Sequence, residues 1–121
     1  MQEGDPLGNF NLDDFFKAIE EKGIQAEIID VATIKPLDMQ TILHSIEKTG
    51  RCVIIHEACR TGGVGAEIAA HIAEHGILFL EAPIKRVTGY DTVMPYYQLE
   101  KSYMPTAQRI LATVNEVLEF A

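Results

Sequence analysis

The residues best placed for chemistry follow the most apolar run of the chain, Cys52–Ile55. His56 and Glu57 come directly after this run, and Arg60 and Thr61 follow on a loop. Open α/β sheets bind ligands at such strand ends, where a histidine can act as a general base oriented by a carboxylate. Successive strand residues, however, point to opposite faces of a sheet. A strand-end histidine satisfied by backbone groups therefore competes with the catalytic interpretation.

The glycines that follow suggest a second kind of site. Gly62, Gly63 and Gly65 lie between the predicted strand and a predicted helix, the position of a dinucleotide-binding turn. The third glycine of that fingerprint would fall at Ile68, so the motif is incomplete. The alternative is a tight strand-to-helix turn, in which at least one of the three glycines has a positive φ.

Two histidine pairings could begin a metal site. His56 lies near Cys59, and His71 and His75 have the i, i+4 spacing that brings two ligands onto one helix face. No CxxC or HExxH motif completes either set. A solvated helix face and a buried cysteine are the simpler interpretation.

Length and composition narrow the class of protein. The 121 residues are 47% hydrophobic and 23% charged, as expected of one globular domain rather than a disordered chain. No apolar run is long enough for a membrane-spanning helix. The formal charge of -8 argues against nucleic acid as a partner. Two cysteines favour a reducing, cytoplasmic setting over a disulfide scaffold.

Apolar periodicity and capping residues predict an alternation of helices and strands. Helices are expected over Leu12–Lys22, from Asp38 to Gly50, from the glycine turn to about His75, and after Thr106. Strands are expected at 26–31, 52–55 and 84–87. The continuous apolar run at 52–55 is typical of a strand covered on both faces. This order indicates a parallel α/β sheet with helices on its faces.

Four collinear segments carry a family resemblance. They are AEIIDVATIKPLD (26–38), KTGRCVIIHEACRTGGVGAEIAAHIAE (48–74), LEAPIKRVTGYDTVMPY (80–96) and LEKSYMP (99–105). In these segments the chain resembles the C-terminal domain of the beta subunit of thiamine-diphosphate-dependent 2-oxo acid dehydrogenases, of the pyruvate, branched-chain 2-oxo acid and acetoin types.

The resemblance implies a transketolase C-terminal fold, a three-layer α/β/α arrangement with a mostly parallel sheet, over residues 10–121. Residues 1–9 (MQEGDPLGN) are expected to be a disordered lead or a remnant of cloning. They occupy the place of the family's first strand but have no apolar alternation. The sheet is therefore expected to lack that strand and to have an unpaired edge.

The resemblance also implies a role without catalysis in this chain. In the family, thiamine diphosphate and Mg²⁺ lie between the alpha subunit and an upstream domain of the beta subunit, so no cofactor, metal or catalytic residue is assigned here. The implied partners are the alpha subunit, a second beta subunit in a heterotetramer, and the acyltransferase core. The implied location is the bacterial cytoplasm, or the mitochondrial matrix in a eukaryote. The alternative function is a regulatory small-ligand module at the strand-end loops, using His56, Glu57, Arg60 and the three glycines.

Residues near the C-terminus are the candidate docking surface. Tyr96 and Tyr97 lie in a stretch rich in large apolar and aromatic residues, which is typical of an interface or of a lid over the sheet. Glu116, Glu119 and Phe120 give the last helix an acidic, partly apolar end. Such a corner suits a basic docking module.

Overall fold

The computed structural model describes residues 12–91 and 105–120. The described elements are α1 (Leu12–Glu21), α2 (Met39–Thr49), β1 (Val53–Cys59), α3 (Val64–His75), a 3₁₀ turn (Ile77–Phe79), β2 (Lys85–Gly89) and α4 (Ala107–Glu119). None of the described helices is long and apolar enough to cross a membrane.

Local capping chemistry sets the helix ends where the sequence predicts them. The carboxylate of Asp38 accepts hydrogen bonds from the Thr41 amide at 3.2 Å and the Thr41 hydroxyl at 2.7 Å, which caps α2. Gly50 ends α2 in the left-handed conformation, with φ of 75°. The Thr106 side chain accepts from the Arg109 amide and begins α4.

The two described strands are parallel neighbours. Val53 pairs with Lys85, Ile54 with Arg86 and Ile55 with Val87, and the register shifts before Cys59 pairs with Gly89. Because α3 connects them, the pair forms the βαβ unit that the alternation predicts.

Each face of the sheet has its own apolar cluster. On one face, α2 and α3 pack on Ile54 and Ile84; the buried members are Met39, Ile42, Ile46, Ile68 and Ile72. On the other face, α1 and α4 pack on Val53 and Val87; the buried helical members are Phe15, Ile19 and Ile110. The predicted three-layer α/β/α architecture is therefore confirmed.

The predicted strand at 26–31 is wrong. These residues have no regular structure, and Ile28, Ile29 and Val31 are each more than a third exposed. They lie across a cleft of about 560 Å³ from β1, whose residues 53–56 line the other side. Because β2 is the partner of β1 in the described sheet, the edge of β1 toward this cleft is unpaired. Residues 1–9, where the first strand was expected to be absent, lie outside the described part.

One other expectation is corrected, at Ile55 of β1, and a second apolar run is also exposed. Ile55 is 39% exposed, so β1 is not covered along its whole length on both faces. The apolar run that begins at Ile77 forms a 3₁₀ turn, in which the Leu78 side chain is almost fully exposed.

Candidate functional site

The end of β1 does not bring His56 and Glu57 together. His56 is partly buried and Glu57 is exposed, in keeping with their alternation on the strand. The His56 ring lies on the side of the sheet that α3 covers, where it meets the backbone of Gly63 and Gly65. Glu57 is therefore not the carboxylate that would orient His56 as a general base.

The glycine turn is explained by backbone conformation and by close packing. Gly62 has φ of 76°, which confirms that one of the three glycines adopts a positive φ. A Cβ on Gly63 would lie 2.7 Å from the Cys59 carbonyl oxygen, and one on Gly65 would overlap the His56 ring. Ile68, at the third position of the dinucleotide fingerprint, is buried in the core between α2 and α3. These observations favour the tight-turn interpretation.

His56 has an unusual environment. Both ring nitrogens are buried, and neither makes a hydrogen bond in the part of the chain described. Burial is the main cause that lowers the pKa of His56 below its ordinary value, and repulsion from the Arg86 guanidinium lowers it further. A weak contact with the Ala58 backbone acts in the opposite direction. Burial and the Arg86 charge both favour the neutral form of His56.

Two residues from β2 and its following turn complete this end of the sheet. Arg60 and Arg86 each donate a hydrogen bond to the other's backbone carbonyl. The Asp91 carboxylate accepts from the Thr61 amide at 2.8 Å and from the Thr61 hydroxyl. We call His56–Gly65 together with Arg86 and Asp91 the strand-end site.

Sequence reasoning found one half of the strand-end site and missed the other. Arg86 and Asp91 were not predicted, although they belong to the predicted strand at 84–87 and the turn after it. The carboxyl ends of neighbouring parallel strands meet at one edge of a sheet, and this rule was the available signal for Asp91. Arg86 is the second residue of β2 and pairs with Ile54, so the rule does not indicate it.

The hydrogen bonds at Asp91 hold its carboxylate in place and favour the ionised form. The Thr61 hydroxyl is the largest cause that lowers the pKa of Asp91, and the Thr61 amide adds to it.

On the opposite side of the sheet, the Arg109 guanidinium donates to the Thr88 carbonyl at 2.8 Å and lies 4.9 Å from the centre of the Tyr90 ring. Both β2 and its following turn are thereby held by side-chain hydrogen bonds.

The possible metal ligands do not assemble into a larger set. The His71 and His75 rings lie 4.6 Å apart, and Nδ1 of His71 is buried without a hydrogen-bond partner in the described structure. His71 is thus partly buried rather than on a solvated face. No group of three or more His, Cys, Asp or Glu side chains able to hold a metal occurs within 12–91 and 105–120.

The candidate docking residues lie at the other end of the sheet. Glu116, Glu119 and Phe120 are exposed at the end of α4, and Phe120 is half exposed. This end of α4 is fixed to the start of β1, because Nε of Arg51 donates to the Val117 carbonyl at 3.0 Å. Tyr96 and Tyr97 lie outside the described residues.

Comparison with known proteins gives the family. The model of the transketolase C-terminal domain matches residues 14–110, which is most of the chain. The chain belongs to the transketolase C-terminal domain family. The match includes most of α1, the strand-end site and the first turn of α4.

Relatives of this transketolase C-terminal domain are beta subunits of 2-oxo acid dehydrogenases. The chain is 51% identical over 102 residues to the 2-oxoisovalerate dehydrogenase subunit beta of Pseudomonas aeruginosa. It is 45% and 44% identical to the pyruvate dehydrogenase E1 component subunits beta of Staphylococcus epidermidis and Bacillus subtilis. Each match covers 84% of this chain but only 29–31% of the relative. The chain therefore spans less than a third of the length of these relatives.

Proposed function

We propose that the chain is the C-terminal domain of the beta subunit of the decarboxylating component of a 2-oxo acid dehydrogenase, and that it serves assembly rather than catalysis. The observation that carries this proposal is the identity of 44–51% to three such beta subunits over 102 residues. The family match to a C-terminal domain supports the same assignment.

The strand-end site supports a role without catalysis. Its histidine, His56, contacts the backbone of Gly63 and Gly65. Glu57 lies on the opposite face of the sheet, and the Asp91 carboxylate accepts hydrogen bonds from Thr61. A general base must first lie within hydrogen-bond reach of the group that it deprotonates, and a suitable pKa alone is not enough. We infer that the catalytic residues of the complete enzyme lie outside this domain.

Thiamine diphosphate and Mg²⁺ belong, in this proposal, to other parts of the complete enzyme. Mg²⁺ prefers carboxylate and other oxygen ligands. The described residues offer no cluster of three potential ligands, and the Asp38 carboxylate is occupied by Thr41. Calorimetric titration with thiamine diphosphate and Mg²⁺ should show no binding tighter than about millimolar. Mg²⁺-dependent binding tighter than that would contradict the assignment.

The proposed partners are the alpha subunit, a second beta subunit and the acyltransferase core. The end of α4 is the proposed docking surface for the core, and we define it as Glu116, Glu119 and Phe120. Two exposed carboxylates beside a half-exposed aromatic ring combine long-range attraction for a basic module with apolar area to bury. The relatives named above are bacterial, which supports a cytoplasmic location.

The docking proposal is tested by charge reversal. The Glu116→Lys, Glu119→Lys double variant should weaken binding to the core's subunit-binding module at least about tenfold and flatten its salt dependence. The matched control is Glu47→Lys, Glu74→Lys, because these exposed acids lie on α2 and α3, across the sheet from α4. Titration at two ionic strengths measures both quantities.

The result of that titration decides the location of docking. Weakening in the α4 variant but not in the control supports the docking surface. Equal affinity and equal salt slope in the α4 variant and the parent would contradict it.

A further inference from the structure

Two cations lie side by side along β1 and β2, one directly after β1 and the other at the second residue of β2. Nη1 of Arg60 donates to the Arg86 carbonyl at 3.0 Å, and Nη1 of Arg86 donates to the Arg60 carbonyl at 2.8 Å. These reciprocal bonds bring together two arginines that are 26 residues apart in the sequence. Backbone carbonyls are neutral, so the bonds fix both guanidinium groups without neutralising their charge.

Arg51, which lies just before β1, is an arginine whose charge is neutralised by a carboxylate. Its Nε donates to the Val117 carbonyl, and its Nη1 forms an ion pair with Glu81 at 3.0 Å. Arg60 and Arg86 have the carbonyl bond but no ion pair with any carboxylate in the described ranges. Each guanidinium has five N–H donors, so the bonds within 12–91 and 105–120 use only a small part of their donor capacity.

Asp91 does not neutralise the pair. Asp91 interacts with the Arg60 backbone and charge, but its two oxygens accept from the Thr61 amide and hydroxyl. One ionised carboxylate beside two guanidinium groups leaves one positive charge in excess. The Arg86 charge also acts on His56, whose two ring nitrogens are buried and have no hydrogen-bond partner among the described residues.

The geometry points to an oxyanion site in which the Arg60 and Arg86 guanidinium groups bind a phosphate or carboxylate group of a small molecule. Planar guanidinium groups bind both of these oxyanions in a bidentate manner. The position of Arg60, directly after β1, also fits, because ligands of open parallel sheets bind beyond the carboxyl ends of the strands. The site is independent of the proposed docking surface, which lies at the other end of the sheet.

The test titrates the full chain with inorganic phosphate and, separately, with acetate at constant ionic strength. Amide resonances of residues 60–65 report binding, and the same spectra show that each variant is folded. We expect saturable shifts below about 50 mM for at least one anion. Saturation by phosphate alone assigns a phosphate ester, and saturation by acetate alone assigns a carboxylate ligand.

Substitutions of three arginines identify the binding groups. Arg60→Gln and Arg86→Gln should each weaken binding at least about fivefold. Arg51→Gln, which removes an arginine that is already paired with Glu81, should leave it unchanged. If Arg86→Gln does not fold, the exposed Arg60 still provides the test. Arg60→Lys keeps the positive charge but loses the planar guanidinium group.

Two results would overturn the oxyanion site. One is the absence of saturable shifts with either anion in the parent. The other is equal affinity in the parent, Arg60→Gln and Arg51→Gln. Neither result bears on the docking proposal, which is measured with the subunit-binding module.

Discussion

The imidazole of His56 occupies the space that a side chain on Gly65 would need. A Cβ built on Gly65 would overlap Nε2 and Cδ2 of the ring and would approach Cγ2 of Ile54 at 3.2 Å. Gly65 is itself buried at the start of α3. The packing of β1 against α3 therefore requires a glycine at this position.

Gly65→Ala should destabilise the protein by about 1–3 kcal/mol, because the added methyl group displaces the His56 ring. Combining it with His56→Ala should recover part of this loss, so the two substitutions should be non-additive in urea unfolding. Gly62→Ala is the matched control, since Gly62 has no atom within 4 Å of an added Cβ. Its cost comes from its positive φ and should add to that of His56→Ala. Additivity in both pairs would contradict the packing argument.

The stability of the protein should fall as the pH drops from about 7.5 to about 5.5. Burial, and then Arg86, lowers the pKa of His56 from its ordinary value of 6.5, so the unfolded chain binds the proton first. The stabilisation by neutral His56 is present above about pH 6.5 and is lost as the pH falls toward the folded pKa.

The carboxylates with a lowered pKa, Glu27, Asp38 and Asp91, act in the same direction but below their ordinary values of 4.5 or 3.8. The window from about pH 5.5 to 7.5 therefore isolates His56 from them. His56→Gln should flatten the dependence of the unfolding free energy on pH in this window. A slope that is unchanged in this variant would assign the effect to another group.

The Cys52 thiol should react slowly while the protein is folded. Burial raises the pKa of Cys52 from 9.0 to about 11, and the thiolate is the form that reacts with iodoacetamide. In a Cys59→Ser variant, alkylation at about pH 8 should be roughly 100-fold slower in the folded than in the urea-unfolded chain. Equal rates in the two states would show that Cys52 is accessible.

Features that depend on neighbouring residues could be predicted from the sequence. Asp38 with Thr41, Gly50, and Thr106 with Arg109 are separated by a few residues, and each sets a helix end by a local hydrogen bond or by a positive φ. The parallel sheet followed from the order of such elements. The family assignment came from the resemblance and not from these signals.

Features that depend on distant partners could not be predicted. The Arg60–Arg86 pair arises only when β1 and β2 align, since no spacing rule connects residues 26 positions apart. The error at 26–31 has the same origin. An apolar, β-branched sequence favours an extended backbone, but a strand also needs a neighbour for its hydrogen bonds.

Amide hydrogen exchange should separate residues 26–31 from the sheet. Because this segment is exposed and pairs with no strand in the described sheet, its amides should exchange at least about 100-fold faster than the amides that join β1 to β2. The comparison is internal to one sample, with the Ile54 and Lys85 amides, which join β1 to β2, as the protected reference. Exchange in the Ile42 and Ile46 region of α2 provides a second reference from the core. Protection of 26–31 equal to that of Ile54 and Lys85 would show that the segment closes the cleft and pairs with the free edge of β1, which would restore the strand that the sequence predicts.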